Sequence, residues 1–246
     1  MGISYSTAKY LAPASFLYDF AAQQYGMLST PNMKTIHDAN ISYFSPQPFF
    51  IAGFFAPQQL FQLAWLYRLW KLSPNKNAAE KSELDQIVDF VPYYALGNAC
   101  IGTWMFFWNS ENLKAANVFV VVNTLSQIYY MMARLGKMNT NSTSSILTHI
   151  VSKTFAGIGV LDILHNTSVA YAVDQPATGM VKLFTGLGFG AASAMSDWIF
   201  GGCLVYDLVA LAVGQNIYAR GSNWPTLLGL YAAGSAVIVG AKNFLK

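Results

Sequence analysis

The sequence predicts an all-α fold: a polytopic bundle of seven or eight transmembrane helices forming a single integral membrane domain over residues 1–246. Three observations predict it. The chain is 54% hydrophobic and only 10% charged, whereas a soluble domain carries about a quarter charged residues. Apolar stretches of roughly 20 residues, the length that crosses a 30 Å hydrocarbon layer, recur from one end to the other. The net charge is only +3, with Lys and Arg at the ends of the apolar segments. That distribution fits a membrane protein with no nucleic-acid partner.

The first segment covers residues 7–28, where Ser15, Asp19 and Gln23 stand at i, i+4 and i+8, a polar stripe on an otherwise apolar helix. A polar loop with Pro31, Lys34, His37 and Asp38 follows over residues 29–45. The second segment, 48–70, begins with SPQPFF, an extended opening because a residue before proline avoids the α region. Pro57 is expected to kink it, Gln58 and Gln62 share a face, and Tyr67 and Trp70 suit an interfacial belt. KLSPNKNAAEKSELDQ reads as a solvated connector.

The third segment, 87–108, carries Asn98, Trp104 and Trp108; the fourth, 113–135, carries Asn123 and Gln127 at i and i+4. The fifth, 148–173, is the most informative. It is apolar enough to span, yet it holds His149, Lys153, Asp162 and His165. An ionisable group at the bilayer centre costs about 2.5–3.5 kcal/mol, so such groups face a polar interior, pair, or lie near the interface. Asp162, His165 and Asn166 fall on one helix face, and His149 and Lys153 form a second i, i+4 pair. The run 179–214 is too long for one span: it is either one long tilted helix that protrudes or two short spans turning near Ser196-Asp197, a pair suited to act as a helix N-cap. Gly186 and Gly190 form a small-xxx-small face there, and residues 226–244 make the last segment.

Arg68, Lys71, Lys76 and Lys81 follow the second segment, and Arg134 and Lys137 follow the fourth, which makes that side, and the N-terminus with Lys9, cytosolic. Eight spans place Lys242 and Lys246 inside as well, whereas seven place Arg220 there. No cleavable signal peptide is visible in the first segment. MGISYS fits a myristoylation pattern that is short and often fortuitous. The sequons at Asn40, Asn141 and Asn166 are not expected to carry glycans, and Cys100 and Cys203 read as buried, reduced thiols.

Lipid cannot satisfy polar side chains, so the stripes are expected to converge inside the bundle. The candidate ligand-binding set is Asp19, Gln23, Gln58, Gln62, Asn98, Trp104, Asn123, Gln127, Asp162, His165, Asn166, Asp197 and Asp207. Asp197 and Asp207 enter because about 80° of helix rotation separates them. Each Asn or Gln taken alone reads better as a packing hydrogen bond, worth about 0.6 kcal/mol. Asp162 with His165 is the pair best suited to exchanging a proton or holding a polar head group. No His/Cys cluster has metal-ligand spacing, and no cofactor is expected.

SPQPFFIAGFF, NACIGTWMFFW and AGIGVLDILHNTSVAY together resemble the tryptophan-rich sensory protein and translocator protein group over about half of the chain, although the group's Trp-x-Pro-Pro run is only approximated by Pro46 and Pro48. The resemblance implies a helical bundle with a cavity for apolar or tetrapyrrole-like ligands and no established reaction. In size and buried carboxylates the chain is also similar to small membrane-bound terpene cyclases, which implies Asp19, Asp162, Asp197 and Asp207 as acid candidates. A microbial rhodopsin does not fit, because Lys242 ends the last segment.

Three functions follow: a protein that binds or carries a small lipophilic ligand among membrane lipids, a membrane-embedded enzyme using Asp as acid or base, and an accessory subunit whose polar faces meet a second copy or other membrane subunits. The absence of a recognised catalytic motif favours the first.

Overall fold

The computed structural model describes residues 3–219 and 221–245, and all regular structure among them is helical. The MGISYS pattern at Met1 and Gly2, and the topology assignments to Arg220 and Lys246, lie outside the described residues. The helices are α1 (Tyr5–Leu28), α2 (Met33–Ala39), α3 (Pro48–Lys71), α4 (Ala78–Asn109), α5 (Leu113–Tyr129), α6 (Thr143–Tyr171), α7 (Gly179–Met195), α8 (Trp198–Tyr218) and α9 (Trp224–Phe244). A π-helical turn, Tyr130–Arg134, continues α5. Four helices, α3, α6, α8 and α9, are long and apolar enough to cross a membrane.

Side-chain caps start these helices where hydropathy alone does not. Asn77 accepts from the Glu80 backbone N–H at 2.8 Å, so α4 begins nine residues before the apolar run expected at 87. More than half of the charged connector is therefore helix. Asp197 sits in extended backbone and accepts from the N–H groups of Ile199 and Phe200 at 3.1 and 3.0 Å. That cap divides the 179–214 run into α7 and α8, joined by only Ser196 and Asp197, and removes the single-long-helix alternative. Successive long helices are antiparallel, as their end contacts show.

At one end of the bundle, Lys9 Nζ donates to the carbonyls of Trp70 and Leu72. Arg134 pairs with Asp89, Lys153 with Asp197, and Lys242 donates to the Ser196 carbonyl. Arg68 bridges Glu83 and Ser144, tying α3, α4 and α6 together there. At the other end Asn109 bonds Ser29, Ser42 bonds Ser168, the Trp224 indole donates to the Tyr43 carbonyl, and Lys182 donates to Asn223. The first end carries Lys9, Arg68, Lys71, Lys76, Lys81, Arg134, Lys137, Lys153 and Lys242; of the described residues the second carries Lys34, Lys114 and Lys182.

Two large apolar cores result, and a third, small cluster of Ile36, Trp108 and Val169 joins α2, α4 and α6. One surrounds Trp65, Phe90 and Tyr94 between α1, α3, α4 and the start of α6. The other surrounds Leu161, Leu208 and Trp224 between α6, α8 and α9. The α6–α8 approach depends on Gly157, where a Cβ would lie 2.3 Å from Cys203 Cβ. Gly186 likewise receives Tyr231 of α9, whereas Gly190 meets nothing, so the small-xxx-small face is half used.

Candidate ligand cavity

Between the two cores lies a cavity of about 500 Å³, walled by α1, α2, α3, α4 and α6. The gap exists because α1 packs along α4 and meets α3 mainly at the basic end, leaving the far halves of α1 and α3 apart. Phe20, Met27 and Phe49 line the cavity and are also exposed, so they form its outer rim. Phe16, Phe55, Trp104, Trp108 and Leu161 supply further apolar wall.

Polar groups enter this apolar wall from several helices. Asp19 of α1 accepts from Gln23 Nε2 at 3.1 Å. From α3 comes Gln62, held by two bonds: it donates to Gln58 Oε1 at 2.7 Å, and its own Oε1 accepts from the Tyr94 hydroxyl at 2.7 Å. The Trp104 indole of α4 donates to Asn166 Oδ1 at 2.8 Å, which orients both side chains. Asp162 of α6 faces the cavity half-buried. Asp19 and Asp162 each stand nine residues before the end of their helix, roughly 14 Å in from the same end of the bundle.

Nearer that end, the short helix α2 brings His37 against His165. His37 Nδ1 and His165 Nε2 are 3.3 Å apart, and the Tyr218 hydroxyl is 3.4 Å from His37 Nε2. If His37 donates from Nδ1, Tyr218 donates to its Nε2, and His165 carries its proton on Nδ1. Burial depresses the His37 imidazole from the usual 6.5 to about 4; Asp38 opposes the shift and Lys34 adds to it. Lys34 lies at the rim and pairs with Asp38.

Of the sequence-predicted site residues, Asp19, Gln23, Gln62, Trp104, Asp162, His165 and Asn166 line this cavity. Gln58 is buried beside it, bonded to Gln62. Asn98, Asn123 and Gln127 go elsewhere: Asn98 donates to the Tyr94 carbonyl, Gln127 donates to the Tyr93 carbonyl, and Asn123 and Gln127 pack on Gly97. They lock α4 to α5. Asp197 and Asp207 do not point together, because Asp197 is a cap off the helix and the 80° rotation does not apply to it. Asp197 holds Lys153, which leaves His149 buried and without a hydrogen-bond partner. Asp207 is fully buried with neither oxygen partnered, behind the cavity wall and within electrostatic reach of Asp162. Asp162 and His165 share the cavity but not a hydrogen bond, since His165 turns to His37.

Sequence reasoning missed His37, Lys34, Asn32, Gln24 and Gln59 as lining residues. His37 and Lys34 lie on α2, a seven-residue helix in a stretch that reads as a polar loop with no periodicity. Gln24 and Gln59 sit next to residues that the stripes did pick out. Among the described residues no group of three or more His, Cys, Asp or Glu side chains is arranged to hold a metal ion. No family model, curated protein or solved structure matches the chain.

Proposed function

We propose that the chain is a multi-pass membrane protein that binds or carries a small lipophilic ligand in the cavity between α1, α3, α4 and α6. The single observation behind this is the meeting of Asp19, Gln62, Trp104, Asp162 and Asn166, from four helices, in one largely apolar space. About 500 Å³ is within the range of small-molecule sites, which pair apolar walls with a few fixed polar groups. The exposed rim of Phe20, Met27 and Phe49 supports access from the lipid rather than from water. Trp104 and Asn166 belong to two of the stretches that resemble the translocator protein group, and their mutual hydrogen bond supports extending that resemblance to a ligand cavity.

The proposal includes eight crossings, by α1 and α3 to α9, with the basic end and the N-terminus in the cytosol. The antiparallel order of those eight helices and the gathering of Lys and Arg at one end support it. α1 and α4 fall short of a fully apolar span because they carry polar groups such as Asp19 and Asn98. α5 and α7 fall short by length, with 17 residues each.

Native mass spectrometry of the protein gently extracted from its own membrane tests the reading. A stoichiometric small molecule, lost in Asp162→Asn, is the expected result. A stable mass containing other polypeptides and no small molecule overturns it in favour of an accessory subunit. One observation favours a second reading, a terpene-cyclase-like enzyme: Asp19 and Asp162 face a single aromatic-walled space and neither is ion-paired among the described residues. If the retained molecule is converted to a product, and Asp19→Asn or Asp162→Asn stops conversion without loss of folding, that reading replaces the first.

A further inference from the structure

We infer that the ligand is a cation: a lipophilic amine whose protonated nitrogen lies against the carboxylates of Asp162 and Asp19. This rests on the ligand-binding reading above and names the class of ligand. Three observations carry it. First, the two carboxylates enter the same cavity at about the same depth, from the α1 wall and the α6 wall. Second, among the described residues no basic side chain answers them. Lys34, which lines the cavity at its rim, is held by Asp38, and Lys153 is held by Asp197 at the far end of the bundle. Asp19 accepts one bond from Gln23, while among the described residues nothing donates to the Asp162 carboxyl. Third, Phe16, Phe20, Trp104 and Trp108 surround the space, and aromatic faces favour a desolvated ammonium.

The alternatives fit less well. A neutral lipophile leaves both acidic groups unmatched inside the bilayer, where unpaired ionisable groups are costly. An anionic ligand adds a third like charge. An ammonium on an apolar skeleton matches the carboxylates and the walls at once.

The test uses the full chain in phosphatidylcholine nanodiscs, with empty nanodiscs as the partition control. Farnesylamine, farnesol and farnesoic acid share a skeleton and differ in charge. Tryptophan quenching gives the affinity, and native mass spectrometry gives the stoichiometry. Farnesylamine is expected to bind at least tenfold tighter than farnesol, with farnesoic acid weakest. The amine-to-alcohol ratio is expected to fall at least tenfold in Asp162→Asn, less in Asp19→Asn, and to survive in Asp162→Glu. Farnesol binding as tightly as the amine, or a ratio unchanged in both Asn variants, overturns the cation while leaving a lipophile site standing. No saturable binding by any of the three overturns the cation together with the binding reading. If an Asn variant does not fold, the ranking of the three compounds on the natural protein decides alone.

Discussion

At the scale of single residues, His37 is the side chain whose environment departs most from its sequence neighbourhood. It sits on the short helix α2, in a stretch whose sequence reads as a polar loop, next to Asp38 and one turn after Lys34, yet only 7% of it is exposed. Burial against His165 and Tyr218 holds it neutral, with its pKa lowered from 6.5 to about 4. The depressed value sets the sign. The unfolded chain takes up a proton as pH falls below about 6.5, and the folded chain takes it up only near 4. The stability that His37 contributes is therefore full above pH 6.5 and is lost across the window down to 4, to a total of about 3 kcal/mol. Unfolding measured from pH 7.5 to 4 is expected to show this fall, and His37→Gln is expected to flatten it by about that amount. Parallel profiles in the two proteins contradict the assignment. The contrast with Asp162 explains what a sequence reveals about such a site. Asp162, His165 and Asn166 were legible because a charged face inside an apolar run has few places to go. His37 was not, because no pattern in a loop says which helix it folds against. Asn123 and Gln127 form a stripe as regular as that of Asp19 and Gln23, but it locks α4 to α5: periodicity tells that a face avoids lipid, not whether it meets a cavity or another helix.

At the scale of helices, close backbone approach decides the architecture around the cavity. Gly157 of α6 faces Cys203 of α8, and a methyl group there would stand 2.3 Å from Cys203 Cβ and 2.8 Å from its Sγ. Because the first of these atoms is fixed to the backbone, rotating the thiol does not relieve the clash. Gly157→Ala is expected to destabilise the protein by about 1–3 kcal/mol, the usual cost of overpacking, or more if α6 cannot shift. The second-site change follows from the same geometry: Cys203→Ala in the Gly157→Ala background rescues little, and Cys203→Gly rescues most of the loss. Thermal unfolding of the four proteins checks this, and equal rescue by Ala and Gly argues against the backbone explanation. Helix existence was largely readable from apolar runs, and the break at Ser196-Asp197 was readable as one of two options because Asp is a good cap. The early start of α4 was not, since hydropathy finds the apolar part of a helix and Asn77 caps its polar extension. The pairing of α6 with α8 through Gly157 carried no signal at all, because a glycine in a helical run looks the same whether or not another helix leans on it.

At the scale of the whole molecule, the alternation of helix ends turns the span count into a question about sidedness. Residues 75 and 139 are exposed at the basic end, and residues 175 and 222 are exposed at the opposite end. The buried thiols of Cys100 and Cys203 leave a quiet background for labelling by an impermeant maleimide. In sealed membrane vesicles of known orientation, Asn75→Cys and Asn139→Cys are expected to label only from the cytosolic face, and Gln175→Cys and Ser222→Cys only from the other. Each pair isolates one part of the topology. Asn139 and Gln175 flank α6, so labelling from the same side means that α6 does not cross, and the inward placement of Asp162 loses its reason. Gln175 and Ser222 flank the α7–α8 hairpin, whose two helices are joined at Asp197. Labelling of both from one side excludes a single crossing and leaves an even number, which gives eight spans when α7 and α8 are both inserted. Labelling from opposite sides means that the pair crosses once, giving seven, and reverses α9. Hydropathy alone left these two counts open because Asp207 and the glycines of α7 blur the boundary. The Lys and Arg bias favours eight, since only an even count returns Lys242 to the side that holds Arg68 and Arg134.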